Sequence, residues 1–528
     1  MPRLEELEYL EADDPLPYSN PRPHRKPRWQ IPRIPRQIPR LPRQIPEILR
    51  PRLTFKYVLS SIVIFYILWC WIRGMPLLSS PLPNYSGPYN VGTVDIEAPC
   101  DKRKIADNVL KSTGEPAFEL QTVLFSVFYP AVKGAKSDLP KHLWVSKPIG
   151  LIAEGYARFA HINSWVTNNV FTTALWSLAG STTIPANVDV PLLGASNSHT
   201  GKRAEGTASS DGPFPLIVFS HGMASSRTSY TQYCGELASR GYVVAAIEHR
   251  DGSAPGSVIM LPDGTEKNFF HINEDQLDPT PDEPEIKRIQ LAFRQAEIEE
   301  TVRVLREINA GKGAEVFKSN PRKEGKDLAQ WKGRLDFDQV IVSGHSYGAT
   351  GALQALKDAP SHRRPFKGGI ILDPGKQSGP LNDDINVPTL VIHSDSWSKS
   401  VSVFFGRPHF EVVKALVEKV NKAGKAAWFL TSVGTSHPSV TDAPLIEPTL
   451  LSWTTGATID VREGVLQYVK VSEEFMQYMK TGEKKGILKE KVTHPEYDQD
   501  GRSEERKKKM PKEIEKYWQI HVTPADVN

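Results

Sequence analysis

The stretch LDFDQVIVSGHSYG, residues 335–348, settles how the rest of this 528-residue chain is read. Val340, Ile341 and Val342 form the continuous apolar run of a strand covered on both sides, and Ala349 to Lys357 reads as a helix. Between them stands Gly-x-Ser-x-Gly, with Ser346 on a sharp strand-to-helix turn. Gly344 and Gly348 leave room there for two backbones to pass closely. The string alone has low specificity. Its strand–turn–helix setting separates a nucleophile from an ordinary glycine-rich turn.

Similar short β-rich runs recur at 123–129, 216–219, 242–247, 369–372, 389–393 and 427–431. Helical segments lie between several of them, most clearly 284–309, where Ile289, Phe293 and Ala296, then Ile298, Val302 and Leu305, repeat three and four apart. Continuous apolar strands separated by helices predict an α/β domain over 90–480, its mostly parallel central sheet covered by helices on both faces.

A serine hydroxyl is a weak nucleophile until an imidazole takes its proton, and the imidazole needs a carboxylate to hold its tautomer. With a nucleophile elbow both partners follow the serine, acid before histidine. Asp373 and Asp395 each end an apolar run, where open α/β sheets bind ligands, and position does not choose between them. His437, in Val433-Gly434-Thr435-Ser436-His437 after the last run, is the expected base. His362, His393 and His409 sit where structural roles are more ordinary. The His221-Gly222 turn directly after the run 216–219 exposes amides, so the N–H groups of Met223 and Tyr347 are the expected oxyanion donors. No metal and no cofactor is expected.

Lys plus Arg number 65 against 61 acids, so the net charge of +4 gives no signal for a nucleic-acid partner. Cys70, Cys100 and Cys234 are too few and too widely spaced for a disulfide scaffold or a cysteine-rich zinc module, though a Cys100–Cys234 bridge stays open. The charge is uneven along the chain. Residues 22–52 hold eight prolines, ten Lys or Arg and one acid, which predicts an extended, irregular arm over 1–54, attracted to anionic lipid or read by a proline-motif partner. Tyr57 to Ile72 carries no charge, and 55–78 reads as a membrane-anchor helix. The basic residues ahead of it leave the N-terminus in the cytosol and send residues 74 onward across the membrane. A cytoplasmic, membrane-associated chain is the alternative. Asn84-Tyr85-Ser86 is a glycosylation sequon on the far side. The Lys/Glu-rich residues 481–528 read as a solvated, partly helical tail.

Taken together, 219–254 (FSHGMASSRTSYTQYCGELASRGYVVAAIEHRDGSA), Pro185-Ala186-Asn187 and 335–348 resemble the plasma and type II intracellular platelet-activating factor acetylhydrolases, over about 120–440. The resemblance implies the α/β-hydrolase fold and a calcium-independent serine esterase that removes acetyl, or short and oxidised acyl chains, from the sn-2 position of phospholipids. It also implies that the acid is Asp373, since the family takes it from a Leu-Asp pair after the strand following the elbow, here Leu372-Asp373. Pro374-Gly375 departs from the family pattern at the next positions. Residues 159–178 occupy the stretch that forms a lipid-facing helix in the resembling enzymes, while an apolar helical stripe is in general more often core. Two other functions stand beside this one. They are a general carboxylesterase or lipase on neutral esters, and a membrane-tethered scaffold whose hydrolase domain does no chemistry.

Overall fold

The structure, a computed structural model, describes residues 54–73, 77–194, 212–399, 401–402, 406–497 and 511–525. The basic arm 22–52 lies outside the described residues. The chain comprises two units, Met1–Ile64 and Phe65–Asn528. Helix Phe55–Arg73 runs over their boundary, and of its residues only Cys70 is buried. Nineteen residues at about 1.5 Å each give roughly 28 Å, so this helix is long and apolar enough to cross a membrane.

The second unit is mixed α/β. Its central sheet has, among the described residues, ten strands: β1 (Asn90–Lys104), β2 (Glu119–Ala131), β3 (Asn187–Val188), β4 (Phe214–Ser220), β5 (Val243–Glu248), β6 (Leu335–His345), β7 (Gly368–Leu372), β8 (Thr389–Ser394), β9 (Ala427–Ser432) and β10 (Trp518–Val522). Their order is β10-β9-β8-β7-β6-β4-β5-β2-β1-β3. From β9 across to β5 every neighbouring pair is parallel, whereas β2 joins β5, β1 joins β2 and β10 joins β9 antiparallel.

Period-two alternation sorts the strand residues between two apolar layers. Leu216 and Val218 of β4, with Val340 and Val342 of β6, enter one layer, which helices Glu283–Glu307, Tyr347–Ala355 and His409–Lys422 cover. Ile217, Phe219 and Ile341 enter the other, under helices Thr231–Ala238 and Val461–Thr481. Both faces being dry, the strands read as continuous apolar runs in the sequence.

Several expectations change. The segment 481–528 is not a solvated tail throughout, because Trp518–Val522 is the buried edge strand β10 and Leu488 accepts a hydrogen bond from Trp428 Nε1 at 3.1 Å. Trp518, Ile520 and Val522 alternate with Gln519 and His521, a signal hidden by the lysines around it. The stretch 159–178 is not one helix. Helix Ile149–Phe159 stops before the left-handed His161 (φ 56°), and Trp165–Ala179 starts afresh under a capping box of Ser164 and Thr167. All three cysteines are free, with Cys234 buried in its helix, so the Cys100–Cys234 bridge is absent.

Candidate active site

Strand β6 delivers Ser346 at the carboxyl end of the sheet in a left-handed conformation (φ 58°, ψ −121°), and helix Tyr347–Ala355 begins at the next residue. The flanking glycines are sterically required. A Cβ on Gly344 would meet the Gly348 carbonyl at 2.3 Å, and one on Gly348 would meet the Ser220 carbonyl at 2.0 Å. The Ser346 N–H donates to the Leu372 carbonyl at 3.0 Å, which ties the elbow to the end of β7. Asp373 follows at once, also left-handed (φ 47°), its own N–H bonded to the Ile392 carbonyl of β8.

His437 sits past β9, at the start of a short 3₁₀ turn, His437–Val440. Its Nε2 lies 3.0 Å from Ser346 Oγ and its Nδ1 lies 2.8 Å from Asp373 Oδ2. With Nδ1–H donating to the carboxylate, Nε2 is the acceptor for the serine hydroxyl. Asp373 also accepts from the Ser394 N–H and the Ser394 hydroxyl, each at 2.6 Å. Burial alone would raise this carboxyl, but the imidazoles of His345 and His437 beside it outweigh burial and hold it well below the usual carboxylate range.

The structure thus joins Ser346, His437 and Asp373 and leaves the competitors elsewhere. Asp395 accepts from the Gly434 N–H at 3.3 Å and from the Tyr497 hydroxyl. His393 is fully buried and stacked on His409, rings 5.4 Å apart, while His409 Nε2 donates to the Pro374 carbonyl at 2.7 Å. His362 is exposed on the surface.

The His221–Met223 loop passes directly beside the serine: a Cβ on Gly222 would lie 3.1 Å from Ser346 Cβ. The Gly222 N–H donates to the Tyr230 hydroxyl at 3.1 Å, and that hydroxyl is 2.8 Å from His345 Nδ1. Met223 follows Gly222 on this loop, and Tyr347 opens the helix, where first-turn amides have no partner within the helix.

Sequence reasoning did not find three supports. Trp397 stacks on His437 with ring centroids 3.7 Å apart and planes 9° apart. His345, buried behind Ser346, is pushed down to about 4 chiefly by burial, so it is neutral at pH 7. Arg294, wholly buried and paired with Asp251 at 2.7 Å, donates to the His221 carbonyl at 2.6 Å and lies 4.5 Å from the Tyr347 ring, so it touches both elements that flank the serine. Glu-His-Arg-Asp at 248–251 was the available signal, a charged run at the end of an apolar strand.

The donor set of His345, Asp373 and His437 is close enough to hold a cation, but His437 Nε2 is already within hydrogen-bond distance of Ser346. A second such group, Asp95, His142 and Glu324, has the Arg227 guanidinium 2.6 Å from Asp95, which supplies a cation there already.

The chain is 29% identical over 298 residues to the platelet-activating factor acetylhydrolase of Canis lupus familiaris, which covers 56% of this chain and 55% of that protein. It is 27% identical over 310 residues to the enzyme of the same name from Cavia porcellus, covering 58% and 57%. The matched part of the chain therefore spans little more than half the length of these relatives. A solved ferulic acid esterase from Streptomyces cinnamoneus is 19% identical with a TM-score of 0.49, covering 78% of this chain and 96% of that one. The family described as platelet-activating factor acetylhydrolase, isoform II, matches residues 78–494, and the chain belongs to that family.

Proposed function

We propose that the protein is a calcium-independent serine esterase that hydrolyses the sn-2 acetyl, or short or oxidised acyl, ester of a phospholipid, as a 1-alkyl-2-acetylglycerophosphocholine esterase does. The observation that carries this reading is the line Ser346 Oγ–His437–Asp373, with contacts of 3.0 and 2.8 Å. Ser346 attacks the ester carbonyl while His437 Nε2 takes its proton, and the ionised Asp373 balances the imidazolium. The amides of Met223 and Tyr347 receive the oxyanion. His437 then passes the proton to the leaving glycerol oxygen, and water releases the acyl group from Ser346 by the same steps reversed in role. Family membership supplies the phospholipid class.

The substrate resides in a bilayer, and two features support contact with one. Helix Phe55–Arg73 tethers the chain as a single-pass anchor, with the N-terminus cytosolic. Helix Trp165–Ala179 presents Trp165, Val166, Val170 and Trp176 to solvent, with Trp165 80% and Trp176 58% exposed, which suits an interfacial face rather than a core one. The test is turnover of matched sn-2 acetyl and sn-2 long-chain phospholipids by the wild type and by Ser346→Ala. The acetyl lipid is expected to turn over in the wild type alone. Persistent hydrolysis by Ser346→Ala would remove the serine from its assigned role.

A further inference from the structure

The loop 374–380 follows Asp373 and is tied down along its length. The Pro374 carbonyl accepts from Trp397 Nε1 at 2.8 Å and from His409 Nε2 at 2.7 Å. The Gly375 N–H donates to Thr350 Oγ1 at 3.0 Å, and Ser378 Oγ lies 2.6 Å from the same oxygen. Gly375 is held so closely that a Cβ there would fall 1.7 Å from Ser378 Oγ. The single charged residue of this anchored loop is Lys376. Its ammonium lies 4.4 Å from the Trp397 ring, and the Trp397 ring stacks on His437 at 3.7 Å. A rigid loop therefore holds a cation one indole away from the imidazole that faces Ser346.

A neutral ester offers such a cation no partner, and neither does a hydrocarbon tail. A phosphodiester does. In a glycerophospholipid the phosphorus is three bonds from the carbon that bears the sn-2 ester, so an ester placed at Ser346 keeps its phosphate close to the site. The Lys376 ammonium is partly withdrawn from water, and burial pushes it down while Asp373 opposes that push. A partly desolvated cation is stabilised by an anion brought against it.

We propose that Lys376 binds the phosphate of the substrate and thereby sets the preference for phospholipid over neutral ester. This rests on the esterase function proposed above. The test uses the full chain and two substrates that differ only in the phosphocholine group, 1-alkyl-2-acetylglycerophosphocholine and 1-alkyl-2-acetylglycerol. The readout is the ratio of their kcat/KM values in the wild type, Lys376→Gln, Lys376→Met and Lys376→Arg. The ratio is expected to fall about tenfold in the Gln and Met variants, mostly through KM, and to recover in Lys376→Arg, in line with the strength of a charge-assisted hydrogen bond. In the wild type the ratio is also expected to fall as ionic strength rises. A ratio in Lys376→Gln within twofold of the wild type, or both substrates slowing in step, overturns the proposal; so does a wild-type ratio indifferent to salt. Failure of the underlying esterase function would look different, since the wild type would then turn over neither substrate.

Discussion

Ser346, His437 and Asp373 form one serine–histidine–carboxylate line in this protein, and Ser220, His249 and Glu297 form another. The spacings are close, 3.0 and 2.8 Å in the first and 2.7 and 2.6 Å in the second. Their surroundings are opposite. The His437 side chain is 27% exposed and Ser346 stands on a left-handed turn at the end of a strand, whereas His249 and Ser220 are fully buried. Their charges differ as well. Asp373, with three hydrogen bonds from Ser394 and His437, is held ionised. Glu297 is pushed well above the usual carboxylate range, first by burial and then by the charge of Asp251, and burial also pushes His249 down, so that pair is neutral. A neutral carboxyl cannot balance an imidazolium, and a buried serine meets no substrate. The second line instead braces the loop that carries His221 and Gly222, together with Arg294.

Exchanging each carboxyl for its amide gives the widest contrast. Asp373→Asn is expected to lower kcat by about 10³–10⁴ with the fold intact, since the imidazole loses its tautomer and its counter-charge. Asp395→Asn, whose partners are Gly434 and Tyr497, is expected to keep wild-type turnover. The reverse result in side-by-side assays would transfer the acid role to Asp395. Arg294→Met probes the brace: it strands the buried Asp251 charge and should cost about 3–5 kcal/mol of stability, seen as a lower midpoint in denaturant. A midpoint equal to that of the wild type would show that the brace contributes nothing. The smallest effect, about 1–2 kcal/mol, concerns pH. Asp373 is depressed in the folded state, so its contribution is present above the ordinary carboxylate range and is lost as pH falls through its lower folded value. Glu297 is raised, so its contribution is present in acid and is lost as pH climbs through the higher folded value. The stability deficit of Asp373→Asn should therefore shrink on acidification, and that of Glu297→Gln should shrink towards neutral and alkaline pH. Parallel curves for the two variants would contradict the assigned charge states.

The strands that flank the site were legible because each lies between two dry layers and is written in uninterrupted apolar residues, as in Val340-Ile341-Val342. Strand β1 was not. Asp95 and Glu97 interrupt its apolar pattern, yet both are buried, paired with Arg227 at 2.6 Å and Arg250 at 2.9 Å, arginines more than a hundred residues away. Strand β10 was hidden in the same way by its charged flanks, since its partner β9 is contributed by a distant stretch of chain.

The sequence by itself determined the elbow around Ser346, because the steric demand of that turn for glycine is local, and it pointed to His437 as the base by its place in a loop after the last apolar run. Only the tertiary structure separated the two candidate aspartates without recourse to a family likeness. Which carboxylate meets an imidazole 64 residues away depends on how β7 and β8 end beside one another, and no local pattern encodes that. The same holds for Trp397 against His437 and for the opposite charges of Asp373 and Glu297. Ionisation is set by burial and neighbours, and those exist only once the chain has folded.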